Sequence, residues 1–169
     1  MLVNIGRERK IMKGSKKVLD ALSALLVDEL AARDQYFIHS RMLEDWGFRK
    51  IAARISHEMD DETGHASALI ERILFLEGVP NMKPSEINVG SDVPAIIKND
   101  LAVEMMVVNN LRKAIALCES ESDYVSRDIL VKMLDDTEQD HAFWLEQQLG
   151  LIDKMGLQNY LESQAGDPA

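Results

Sequence analysis

Residues 55–78 read ISHEMDDETGHASALIERILFLEG. Wound as a helix at about 100° per residue, this stretch puts Ile55, Glu58, Glu62, His65, Leu69 and Leu76 on one face. Two carboxylates and an imidazole thus interrupt an apolar stripe of the kind that a helix buries. A carboxylate buried there is costly unless it is paired, protonated or bound to a cation. Glu62 and His65 are three residues apart, which makes them neighbours on the helix surface and a chelating pair. The same Glu-x-x-His spacing recurs at Glu138 and His141, so two of the chain's four histidines follow a Glu by three positions. Chance would seldom produce that.

The flanking sequence is helical almost throughout. Apolar residues recur at helical spacing from Ser15 to Trp46, where Gly47 ends the run, and again from Arg49 to Leu76. Gly78 and Pro80 follow in the order expected past a helix C-terminus. Residues 79–92 carry Pro80, Pro84 and Gly90 without a sustained period and form a long connector. Asp92 and Pro94 then open a third helix to about Cys118. The cluster Glu119-Ser120-Glu121-Ser122-Asp123 breaks it, a fourth helix runs from about Tyr124 to Met155, and Leu157 to Gln164 forms a short fifth. The layout is two helix hairpins joined by one long crossover, an all-α four-helix bundle.

Each remaining long helix also carries a Glu in its apolar stripe. The first reads Leu22, Leu25, Leu26, Glu29, Ala32, Tyr36; the third Ile97, Leu101, Glu104, Val108, Leu111; the fourth Leu134, Glu138, His141, Leu145. Glu29 precedes Glu62 by 33 residues and Glu104 precedes Glu138 by 34, so each half supplies one Glu helix and one Glu-x-x-His helix. Four core carboxylates at matching depth require something cationic between them. Oxygen-rich ligation with one imidazole per metal suits iron or manganese, whereas a structural zinc favours nitrogen and sulfur.

Composition narrows the setting. The 169 residues suffice for one domain with a sizeable core. Cys118 is the only cysteine, which excludes an intramolecular disulfide and a Cys-rich metal module and suits a reducing cytoplasm. No apolar run is long enough for a signal-peptide core or a membrane span. Nineteen basic against 29 acidic residues give a net charge of −10, which argues against nucleic acid and suits a surface that attracts cations.

One Glu from each of two helices, plus Glu-x-x-His from each of the other two, resembles the ligand pattern of the ferritin-like di-iron carboxylate proteins. Several stretches narrow the likeness: Met12-Lys13-Gly14, Asp34-Gln35-Tyr36-Phe37, residues 70–78, Asp123 to Asp128 and Lys154 to Leu161. Over residues 12–164 the chain resembles bacterioferritin, with residues 1–11 as an extension ahead of a domain running from 12 to 169. The resemblance implies a hollow twenty-four-subunit shell that takes up Fe(II), oxidises it with oxygen or peroxide at a ferroxidase site and stores ferric mineral. By position, Glu29 and His65 would be terminal ligands of one iron and Glu104 and His141 of the other, with Glu62 and Glu138 bridging. Tyr36, inward with Glu29, would serve the site by hydrogen bonding or electron donation, or simply pack in the core.

The chain departs from the family pattern in two places besides its N-terminus. The family's interface haem is ligated by a Met just after the Glu of the second helix's motif, and here that residue is Thr63. A hydroxyl is a poor substitute for a thioether on haem iron, so a homo-oligomer is expected to hold little or no haem. Met59 is the only nearby alternative. A mixed shell with a second, haem-binding subunit and an electron-donating ferredoxin is the other reading that the resemblance offers. The fourth helix, secondly, has one residue too many between Asp128 and Glu138. A π-bulge near Asp135 to Glu138 would absorb it and keep Leu134 and Glu138 inward, whereas an unbroken α-helix would swing Arg127 toward the metal face. Finally, His57 and Asp61 lie one turn apart and roughly opposite Thr63, either as a cavity-side iron pair or as a solvated surface pair.

Overall fold

The computed structural model describes residues 13–167, and the expected extension over residues 1–11 lies outside them. Four long helical rods form the bundle. They are α1 (Lys16–Asp45), α2 (Arg49–Phe75), α3 (Val93–Ser120), and a fourth made of α4 (Tyr124–Asp136), a π-helical turn (Thr137–Ala142) and α5 (Phe143–Met155). A short α6 (Leu157–Gln164) closes the chain. Among the described residues no helix is long and apolar enough to cross a membrane.

The ends of these helices follow from local chemistry. Ser15, Asp92 and Asp123 each accept a hydrogen bond from a first-turn N–H, at 3.2, 2.8 and 3.1 Å. Gly47 and Gly156 end α1 and α5 with φ of +86° and +83°, where a side chain would be strained. At the end of α2 the left-handed residue is Glu77, at φ +64°, and not the neighbouring glycine. Gly78 is instead closely packed, since a Cβ there would displace Leu19 Cδ2, at 2.6 Å, and Ile73 Cγ2, at 2.9 Å.

The apolar stripes meet as two clusters. One joins Val18, Leu22, Leu25 and Leu26 to Leu69, Ile73, Leu111, Leu130 and Met133. The other joins Tyr36 and Leu43 to Ile51, Ile55, Ile96, Ile97, Leu145 and Tyr160. Along α1 the first cluster comes before the second, along α2 and α3 after it, and along the fourth rod before it again, so α2 and α3 run in the same direction. The chain must therefore return the full length of the bundle between them. A 27-residue helix is about 40 Å long, and residues 76–92 can span that when extended.

This crossover is held by a buried polar clasp that sequence reading did not anticipate. Gln35 accepts from Asn88 N–H at 2.8 Å, and His39 Nε2 accepts from Gly90 N–H at 3.0 Å. Both side chains converge on Asp100, Gln35 donating at 2.8 Å and His39 Nδ1 lying 2.7 Å from it. With Nε2 accepting from Gly90, Nδ1 is left as the donor to Asp100.

Candidate metal centre

Between the two apolar clusters lies a polar layer. Glu29 from α1, Glu62 and His65 from α2, Glu104 from α3 and His141 from the π-helical turn are all buried. Glu62 is central. Its Oε2 lies 3.1 Å from His65 Nδ1 and its Oε1 3.0 Å from His141 Nδ1. Glu29 approaches His65 Nδ1 at 3.4 Å and Glu104 approaches His141 Nδ1 at 3.7 Å. The imidazole centroids are 5.8 Å apart. The residues resolve into two groups whose ligand atoms lie within 4.8 Å of one another, Glu29–Glu62–His65 and Glu62–Glu104–His141, with Glu62 common to both. Both oxygens of Glu29 and one of Glu104 lack a hydrogen-bond partner, so the layer holds buried carboxyl groups that the protein itself leaves unsatisfied.

Protonation follows from this crowding. Burial, and then the adjacent Glu62 carboxylate, raise the pKa of Glu29 well above the usual range. Burial likewise lifts Glu104 to about 7. Burial would also raise Glu62, but its close neighbours Glu29, His141 and His65 hold it well below an ordinary carboxylate. Burial would depress His65, yet the close approach and charge of Glu29 and Glu62 raise it to about 11. For His141 the same contest, won by Glu104, Glu58 and Glu62, also ends far above the normal imidazole range. Protons thus balance charge where cations would otherwise do so.

Both imidazoles turn Nδ1 to the pocket and Nε2 to a carboxylate outside it. His65 Nε2 is 2.9 Å from Asp136 and His141 Nε2 is 2.9 Å from Glu58. Such outer carboxylates fix the ring of a metal-binding histidine and make its other nitrogen a better donor to metal. Glu58 is itself held by Arg54 Nε at 2.7 Å, while the same guanidinium reaches Asp140 at 2.6 Å and lies over the Trp144 ring. Glu58 stands on the same stripe as Glu62, so helical phase alone could have singled it out. Asp136 carried no such signal, because its direction depends on where the fourth rod changes winding.

Tyr36 is buried and its hydroxyl donates to Glu104. Asp61 is half-buried, 3.5 Å from the exposed His57 and 3.8 Å from His141 Nε2. It joins the surface to the pocket rather than forming a purely external pair. Glu138 does not join the layer. It is half-exposed and pairs with Arg112 at 2.6 Å. The expected widening of the fourth helix is present, but it spans Thr137–Ala142 and so falls after the point where it was needed to turn Glu138 inward. Glu138 therefore keeps the phase of the upstream α-helix, in which Leu130, Met133 and Thr137 are the buried positions. Arg127 stays at the surface with Glu119 and Asp128.

A four-helix bundle with one long crossover and a carboxylate–imidazole layer at mid-height defines the ferritin-like class. The comparisons agree: the ferritin-like domain family matches residues 19–155. The chain is 60% identical to a bacterial ferritin of Pseudomonas aeruginosa over 153 residues, covering 90% of this chain and 99% of the relative. It is 61% identical to a bacterial ferritin of a Synechocystis species over 154 residues, with the same shares covered. It is 39% identical to a bacterioferritin of Mycobacterium bovis over 150 residues, 88% of this chain and 94% of the relative. The chain belongs to the ferritin-like family and is a member of the bacterioferritin type.

Proposed function

We propose that this chain stores iron, and that it oxidises Fe(II) at the carboxylate–imidazole layer before ferric mineral is laid down inside an oligomeric shell, of twenty-four subunits in the bacterioferritin plan. Family membership supports the storage role. The observation that carries ferroxidase chemistry is the position of Glu62, shared by two adjacent three-residue groups. A shared carboxylate holds two cations close together while its charge offsets their repulsion. Two Fe(II) ions bound there would each yield one electron to dioxygen or peroxide. Tyr36 holds Glu104 in place through its hydroxyl, and Asp61 and His57 offer a path between pocket and cavity. A cytoplasmic setting suits both Fe(II) and the free, buried Cys118, whose thiol burial raises to about 11.

The test is aerobic addition of Fe(II) to metal-free protein, with a fast oxidation phase of about two irons per chain expected. Glu29→Ala removes one side of the Glu29–Glu62–His65 group and should abolish that phase while leaving the shell assembled. An unchanged fast phase in Glu29→Ala would sink the ligand assignment.

A second reading, a shell shared with a haem-binding subunit and reduced by a ferredoxin, is favoured by Thr63. The residue is exposed and its hydroxyl donates to Met59 O at 3.0 Å, so this surface presents no thioether at the haem-ligand position. Met59 itself is half-buried against the apolar cluster around Tyr36. The residues present do not fit axial ligation of haem. Expressed alone with ample haem, the chain should show almost no haem absorption, and Thr63→Met should gain it. Strong bis-thioether haem absorption from the unaltered chain would overturn this reading.

A further inference from the structure

The fourth rod delivers a different side chain to the pocket from the one that Glu-x-x-His spacing selects. In an α-helix Glu138, three residues before His141, would share its face. In the wider π winding, roughly 80° per residue, Thr137 falls nearly one whole turn before His141 and Glu138 roughly a third of a turn away from it. The burial pattern agrees. Thr137 is fully buried with its Oγ1 lacking a hydrogen-bond partner, while Glu138 is half-exposed on Arg112. Thr137 is also held by the α-helical segment before it, because Leu130 and Met133 occupy the same stripe and are packed in the core. Turning Glu138 inward would require the wide turn to move upstream past Thr137.

We infer that the pocket of this chain is built with five side-chain ligands, Glu29, Glu62, His65, Glu104 and His141, and that Thr137 stands where a fourth carboxylate would complete it. The inference rests on the iron-binding reading above and makes the two ions unequal. With both imidazoles neutral and all three carboxylates ionised, one ferrous ion leaves the layer at −1 and a second takes it to +1. A net positive charge in a buried layer is unfavourable, so the second ion binds more weakly than the first.

The experiment is titration of metal-free, full-length protein with Co(II), followed by visible absorption and calorimetry. Two steps are expected, the second at least tenfold weaker. Glu138→Ala should leave both steps within about twofold. Thr137→Glu, which supplies a carboxylate without altering the winding, should tighten the second step at least tenfold. Deleting Thr137 should do the same by a different route, because it removes the extra residue and returns Glu138 to the α-helical phase of His141. Weakening of either step in Glu138→Ala, or a Co(II)-bound structure with Glu138 on the metal, would overturn the inference and leave the iron-binding reading standing. Absence of Co(II) uptake by the unaltered chain would instead overturn both.

Discussion

Glu62→Ala is expected to eliminate metal binding at both positions of the layer, and with it fast Fe(II) oxidation, by at least ~100-fold. The size of the effect follows from sharing. Each oxygen of Glu62 serves a different imidazole, at 3.1 and 3.0 Å, so one substitution reduces both three-residue groups to two. Glu29→Ala reduces only one of them. Co(II) titration should therefore give two equivalents per chain for the unaltered protein, one for Glu29→Ala and none for Glu62→Ala. The bundle itself should survive, because the apolar clusters on either side of the layer are untouched. The variant also removes one of the carboxylates that hold each histidine protonated, alongside Glu29 at His65 and Glu104 and Glu58 at His141, so both pKa values should fall. That shift, read by NMR on metal-free protein, separates loss of the ligand from misfolding. Two equivalents of Co(II) retained by Glu62→Ala would show that Glu62 is not the shared ligand.

The fold was legible because helical phase and helix punctuation pointed the same way. Ser15, Gly47, Asp92, Asp123 and Gly156 mark helix ends in both sequence and structure, and the long non-periodic segment around Pro84 could only be a crossover. Five of the six residues read as metal ligands meet in one layer for the same reason: each lies on an uninterrupted helical stripe, or at the downstream edge of the winding change. Glu138 was misplaced because a single inserted residue can be absorbed on either side of it, and the two choices differ by about 100° in where the side chain points. The apolar pattern alone did not separate them. Leu134, taken as inward, is half-buried against the core, while Leu130 and Met133 set the stripe. The clasp of Gln35, His39 and Asp100 was illegible for another reason. It joins two helices to the backbone of an irregular loop, and no periodicity encodes that meeting.

Metal affinity should rise with pH, by at least about tenfold per unit between pH 6 and 8. Metal requires neutral imidazoles and ionised carboxylates. In the metal-free layer His65 is held to about 11 and His141 is raised as well, so both carry a proton over this range that the metal must displace. One imidazole proton released per site filled corresponds to a slope of about one in log affinity against pH, to which the raised Glu29 adds at its own site. Glu104, at about 7, adds to the slope below neutrality and less above it. The stability of the metal-free protein moves the opposite way. The raised pKa of His65 contributes stability that is fully present below its unfolded value of 6.5 and is lost as pH rises toward about 11. The raised Glu104 acts in the same direction between 4.5 and about 7, since the folded state binds the proton more tightly there. Glu62, held below its ordinary value, contributes stability above that value and loses it only in more acidic solution. From pH 6.5 to 9 the layer should therefore destabilise metal-free protein progressively, while Zn(II), a redox-inert probe, restores stability by an amount that grows with pH. Thermal unfolding of the two forms across this range, with dye-monitored proton release on adding Zn(II), measures both trends. Zn(II) affinity independent of pH, with no proton released, would show that the histidines of the metal-free layer are already neutral.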